Sequence, residues 1–161
     1  MQPVSSVQER YFLFPSSLHV VTEPTEIQTV LGSCVAVCLY DKVRRFGGMN
    51  HYMLPLWKGE GLATPKFGDI SIEKLIARML SMEGEKRNIV AKVFGGAEQY
   101  VDGSIYEIGK RNIEVAVSIL GDHGITIVGS STGGRVGRRI LFHSASGQVL
   151  MKYLNGQSTE N

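Results

Sequence analysis

Short apolar runs alternate along the chain with turns rich in glycine, proline and charge, and two longer stretches carry apolar residues at helical spacing. Residues 18–21 and 27–31 read as strands around the turn formed by Glu23, Pro24 and Thr25. Residues 35–40 are β-branched and apolar without helical periodicity, and 48–54 read as the next strand after the polar turn 41–45. Ile72, Leu75, Ile76, Met79 and Leu80 recur every three or four positions, which predicts a helix over 70–82 capped by Asp69 or Ser71. A strand over 90–94 ends at Gly95 and Gly96. A second helix is expected over 105–120, burying Ile108, Ile113, Val115, Ala116 and Ile119, with Gly121 or Gly124 as its stop. Residues 125–128, 139–142 and 149–151 read as the closing strands.

This order implies an α/β protein with mixed, largely antiparallel strands and helices on one side. The chain has 161 residues, enough for one domain whose core needs no disulfide or metal staple. The expected division is an N-terminal arm over 1–16, held down by Tyr11, Phe12 and Phe14, a single domain over 17–154, and a disordered polar tail over 155–161.

A net charge of +2 argues against a general nucleic-acid or membrane-surface binder. The first ten residues lack the basic and apolar regions of a secretory signal, and no run approaches the ~20 apolar residues that span a bilayer. Cys34 and Cys38 on one strand stand about 13 Å apart, too far for a disulfide. A reducing cytoplasm is the expected home.

Candidate chemistry centres on Gly32, Ser33 and Cys34, with His51 seventeen positions after the cysteine. If strands 35–40 and 48–54 pair in antiparallel fashion around the short turn, position 34 returns beside position 51. A thiol then meets a general base, and its ionisation is expected below the ~8.5 of a free cysteine. Gly32 removes a Cβ where substrate approaches, and backbone N–H groups around Ser33 and Cys34 are candidates for an oxyanion hole. Against this, a lone cysteine in an apolar strand is usually a small buried hydrophobe. His19, His123 and His143 show no paired metal-ligand spacing, so neither a metal nor a cofactor is expected. His123, just after the second helix, is expected to face helix carbonyls. The run from Gly129 to Arg139 lacks the ending of a phosphate-binding loop and reads as a glycine-rich hairpin, with Arg135, Arg138 and Arg139 exposed to an acidic partner surface. Residues 55–67, rich in glycine, proline and lysine, form a candidate substrate-contacting loop.

Two longer runs carry a family resemblance. TVLGSCVAVCLYD over 29–41 and GGMNHYMLP over 47–55 closely resemble the opening signature of CheD, the bacterial chemoreceptor glutamine deamidase family. KVFGGA over 92–97, IGKRN over 108–112 and GGRVGR over 133–138, with Phe142 and Gly147 beyond, resemble that family's later blocks in the right order. The resemblance implies a layered α/β/β sandwich of the cysteine-deamidase (cytotoxic necrotizing factor) type. It also implies hydrolysis of receptor glutamine side chains to glutamate, with Cys34 as nucleophile and His51 as base. Its third member is a threonine shortly before the cysteine. Here Gln28 occupies the family's spacing and Thr29 is one position off. Alternation along an unbroken strand favours Gln28, whereas a kink at Gly32 favours Thr29. The implied partners are chemoreceptor cytoplasmic helices as substrate and a CheC-type phosphatase. The alternatives are a non-catalytic chemotaxis adaptor binding the same partners, and another cysteine acyl-transfer enzyme such as a protease or transglutaminase-like protein.

Overall fold

The computed structural model describes residues 8–101 and 104–154. The expected tail 155–161, like residues 1–7, lies outside the described residues. The strands are β1 (Glu9–Phe12), β2 (Ser17–Val21), β3 (Thr25–Leu31), β4 (Val35–Asp41), β5 (Phe46–His51), β6 (Ile89–Gly95), β7 (Gln99–Val101), β8 (Ser104–Tyr106), β9 (Thr126–Thr132), β10 (Arg138–His143) and β11 (Val149–Tyr153). The helices are α1 (Gly68–Ser81) and α2 (Ile108–Asp122). One sheet has four strands in the order β1-β3-β10-β11, a second has five in the order β2-β5-β4-β6-β9, and β7 and β8 form a separate pair. Among the strand pairs of the described residues only β1/β3 and β6/β9 run parallel, so both main sheets are mixed.

Burial shows why the layers stack as they do. Val35, Val37 and Leu39 of β4 join Ile72, Leu75, Ile76 and Met79 of α1 and Ala116 and Leu120 of α2 in one core. Ala36 and Cys38, on the opposite face of the same strand, join Ile27, Leu31, Met49, Ile140 and Phe142 in a second core between the sheets. The five-stranded sheet is therefore a middle layer buried on both faces, which explains the continuous apolar run of β4. By contrast β3 alternates, with Thr25, Ile27, Thr29 and Leu31 buried and the residues between them half-buried, as an outer layer requires.

Several expectations need correction. Glu9–Phe12, expected in an arm, form β1, paired in parallel with β3, and Leu13 is fully buried. The cap of α1 is Phe67, without a side-chain bond. Asp69 lies in the first turn and accepts the Trp57 amide at 3.0 Å, while Ser71 is buried. The second helix starts at Ile108, because 104–106 pair with 99–101 as strands. It ends as expected at Gly124 (φ +69°), where Gly124 N–H bonds Gly121 O and Ile125 N–H bonds Leu120 O in a Schellman pattern. Residues 129–139 do not form a hairpin: β9 and β10 belong to different sheets, and the turn between them is a crossing. Arg138 is consequently buried, donating to Ser131 Oγ at 3.0 Å and Gly95 O at 3.4 Å, whereas Arg135 and Arg139 are exposed.

Candidate active site

Thr29, Cys34 and His51 reach one place from three pieces of structure. Thr29 stands on the inner face of β3 in the four-stranded sheet. The chain then crosses through Gly32 and Ser33 and enters the five-stranded sheet at Val35, so Cys34 stands where the crossing ends. His51 is the last residue of β5. Val35 and Tyr52 exchange backbone hydrogen bonds of 3.1 and 3.0 Å, and Cys38 is paired with Met49. That register places Ala36 opposite His51 and, one step further, Cys34 opposite Met53. Cys34 and His51 are therefore diagonal neighbours on the inter-sheet face, a separation an aromatic ring can bridge. Between them the ladder opens, since the Val37 amide bonds Asn50 Oδ1 at 2.7 Å.

The histidine is held in one tautomer. Thr29 Oγ1 lies 2.7 Å from His51 Nδ1 and 2.7 Å from the carbonyl oxygen of Leu13. A hydroxyl has a single proton, and the Leu13 carbonyl can only accept, so the proton goes to Leu13. His51 Nδ1 must then be the donor to Thr29, and Nε2 keeps its lone pair. Among the described residues Nε2 is buried without a hydrogen-bond partner. Gln28 does not meet the imidazole, because β3 turns it away from the buried face. Side-chain parity does not carry from Gln28 to Cys34, because the chain leaves the four-stranded sheet after Leu31 and enters the five-stranded sheet only at Val35.

Electrostatics correct the expectation of an acidified thiol. Burial pushes the His51 imidazole down to about 4, so it is neutral at ordinary pH. Cys34 has no cationic ring beside it; burial pushes its thiol up, opposed in part by its own backbone N–H. The resting pair is a thiol and a neutral base. Cys38 is deeper, and burial pushes its thiol up strongly.

The Cys34 loop is clamped at all three of its carbonyls. Gly32 O accepts from Ala97 N–H at 3.0 Å, Cys34 O from Gly96 N–H at 2.9 Å, and Ser33 O from Asn112 Nδ2 at 2.9 Å. Gly95 (φ +109°) passes so close that a Cβ there would sit 2.2 Å from Cys34 O. The runs 92–97 and 108–112 thus converge on the cysteine loop. Asn112 and the Leu13 carbonyl were not legible as parts of the site. A signal for Asn112 existed, since it is a polar residue in the buried stripe of Gly109, Ala116 and Leu120.

The remaining candidates lie elsewhere. His19 stacks on Tyr11 with ring centroids 3.8 Å apart. His123 reaches Glu73 at 2.9 Å and Lys86 at 3.0 Å rather than facing helix carbonyls. Among the described residues no three His, Cys, Asp or Glu side chains gather as metal ligands, and no helix is long and apolar enough to cross a membrane. The loop 55–67 starts two residues after the Met53 position opposite Cys34 and exposes Leu56 and Leu62.

Comparison with known proteins gives the chain its family. A family model described as CheD chemotactic sensory transduction matches residues 53–153. A protein of Trichlorobacter lovleyi named probable chemoreceptor glutamine deamidase CheD is 52% identical over 143 residues, covering 88% of this chain and 89% of its own. Proteins of the same name from Sulfurimonas denitrificans and Rhodospirillum rubrum are 47% and 39% identical, covering 94% and 92% of this chain and 97% and 84% of their own. The family model begins after His51, whereas matches covering over nine-tenths of the chain are too long to omit 29–51.

Proposed function

The chain belongs to the CheD family, and from that premise we propose that it is a chemoreceptor glutamine deamidase working through a Cys34 thioester. The observation that carries the chemistry is the Thr29 hydroxyl between Leu13 O and His51 Nδ1, which leaves Nε2 as an unprotonated base on the inter-sheet face that Cys34 shares.

His51 Nε2 takes the Cys34 proton as sulfur attacks the glutamine carboxamide carbon. The carbonyl oxygen gains the negative charge and faces the Cys34 N–H, within the crossing formed by Gly32 and Ser33. Collapse of the intermediate breaks the C–N bond, and the imidazolium donates its proton so that ammonia leaves. Water then enters, His51 removes a proton from it, and hydroxide attacks the thioester carbon. Glutamate departs and the thiol is restored.

Because His51 is neutral at rest, the thiol loses its proton during attack rather than before it. This suits hydrolysis in a cell, where a standing thiolate would be open to oxidation. The α/β/β layering fits the cysteine-deamidase type of the cytotoxic necrotizing factors, and the site acts in the cytoplasm on receptor helices that meet the 55–67 loop. A CheC-type phosphatase is the accompanying partner. A non-catalytic adaptor has no use for a buried imidazole whose tautomer is fixed by a third side chain, so the enzymatic reading is preferred.

The test is incubation with chemoreceptor cytoplasmic fragments followed by peptide mapping. Conversion of particular glutamines to glutamates, with ammonia release and no chain cleavage, is the expected result. Binding without conversion supports the adaptor, and cleaved peptides support a protease.

A further inference from the structure

Asn112 is fully buried on the inner face of α2, and its side-chain amide is committed to the cysteine loop. Nδ2 donates to Ser33 O at 2.9 Å and to Met53 O at 3.1 Å. Both partners are carbonyls, so a flipped amide would set oxygen against oxygen, and the assignment of Nδ2 is fixed by chemistry. The backbone carbonyl of Asn112 accepts the Tyr52 hydroxyl at 2.6 Å. Thus one side chain joins the residue before Cys34 to the residue opposite it, and the same helix position is tied to the residue after His51. Oδ1 is buried and unpaired among the described residues, so the residue retains a desolvation cost that an apolar side chain would not carry.

The geometry of the peptide unit gives this clamp a consequence. No peptide among the described residues is cis, and in a planar trans unit the N–H points opposite to the preceding C=O. Holding Ser33 O on Asn112 therefore turns the Cys34 N–H the other way. That amide is the one acting on the Cys34 sulfur. Its two neighbours are fixed by the same logic, since Gly32 O is held by Ala97 and Cys34 O by Gly96. Of the three clamps, only the middle one is a side chain.

We propose that Asn112 is a positioning residue for the deamidation step: by holding Ser33 O it aims the Cys34 N–H at the oxygen that becomes the oxyanion, and by holding Met53 O it sets the Cys34 strand against the His51 strand. This rests on the deamidase reading. Its action is specific to the transition state, because charge on that oxygen develops only as sulfur adds.

Asn112→Asp is nearly isosteric but presents an acceptor to two carbonyls. Tyr52→Phe is the matched control, since it removes a hydrogen bond to the same helix position without touching either clamped carbonyl. Deamidation of a receptor cytoplasmic fragment is followed by kcat and KM, alongside the pH dependence of Cys34 alkylation by iodoacetamide. Asn112→Asp is expected to lower kcat at neutral pH at least tenfold, to leave KM within about twofold, and to raise the apparent pKa of alkylation. Its kcat should recover in part as pH falls, when the carboxyl regains a proton and can donate. Tyr52→Phe should keep kcat within about threefold of wild type. If Asn112→Asp does not fold, Asn112→Ala removes the same donors without adding charge and is read in the same way. A folded Asn112 variant with wild-type kcat and an unmoved alkylation profile overturns the proposal, as does an equal loss of kcat in Tyr52→Phe. Should the wild type deamidate nothing, the deamidase reading fails, and the alkylation profile alone still decides whether Asn112 aims the Cys34 amide.

Discussion

Replacing Thr29 by valine removes a hydroxyl and keeps the branched shape. In the structure that oxygen serves two partners, each at 2.7 Å and both in the buried interior. Valine leaves Leu13 O and His51 Nδ1–H unpaired, and each orphaned group costs about 1–3 kcal/mol. The expected loss of folding stability is therefore about 2–6 kcal/mol by the same bookkeeping. Turnover should fall by roughly ten- to a hundredfold, the size expected when a supporting partner of a reactive imidazole is lost. Thr29→Ser retains the oxygen and loses one methyl, which costs on the order of 1 kcal/mol of stability and little turnover. Gln28→Ala should be mild, because only the backbone oxygen of Gln28 is used at the site, accepting from Leu13 N–H at 2.8 Å. The assay is the rate of glutamine conversion in a receptor fragment at saturating substrate, with a denaturant midpoint for each variant. Wild-type turnover in a folded Thr29→Val protein, or a larger loss in Gln28→Ala than in Thr29→Val, refutes the reasoning.

Other consequences follow from burial. Cys38→Ala should keep most activity, since Cys38 is buried in the core away from any substrate whereas Cys34 is partly exposed; a dead Cys38→Ala enzyme with normal folding contradicts the assignment. Alkylation of Cys34 should accelerate only as pH rises past the ~8.5 of a free thiol, because burial raises that pKa; a plateau at neutral pH would indicate a standing thiolate. His51 is buried neutral, with a folded value of about 4 against 6.5. Its folded pKa is depressed, so protons bind the unfolded chain preferentially, and the contribution to stability is complete above 6.5 and lost as pH falls towards 4. Denaturant midpoints should drop across that window in wild type and less steeply in His51→Phe.

Much of the fold was legible because local pattern and tertiary burial coincide. The run 35–40 reads as a strand since β4 is buried on both faces, and Ile72, Leu75, Ile76 and Met79 mark a helix since one face of α1 meets that sheet. The return of position 34 towards position 51 is legible through a single local turn, 41–45, that fixes the register between their strands. Choosing between Gln28 and Thr29 was beyond the sequence, because it depends on the chain changing sheets at Gly32, a tertiary event with no periodicity of its own. The same holds at 129–139, where a glycine-rich turn looks like a hairpin whether its flanking strands share a sheet or not. Arg138 reads as exposed from the sequence, because its burial depends on a tertiary contact that brings its guanidinium to Gly95 O. The thiol's ionisation is not legible for a related reason: the Coulombic lowering of a thiol pKa by an imidazole needs a charged ring, and burial keeps His51 neutral.

The most direct test of the account is chemical trapping of its intermediate. Wild-type protein mixed with a receptor cytoplasmic fragment is quenched in acid within the first turnovers and mapped by mass spectrometry. A hydroxylamine-labile glutamyl adduct is expected on the peptide bearing Cys34 and absent from Cys34→Ala, together with conversion of the matching receptor glutamine to glutamate. Glutamine conversion that persists in Cys34→Ala, or an adduct carried by Cys38 instead, contradicts it.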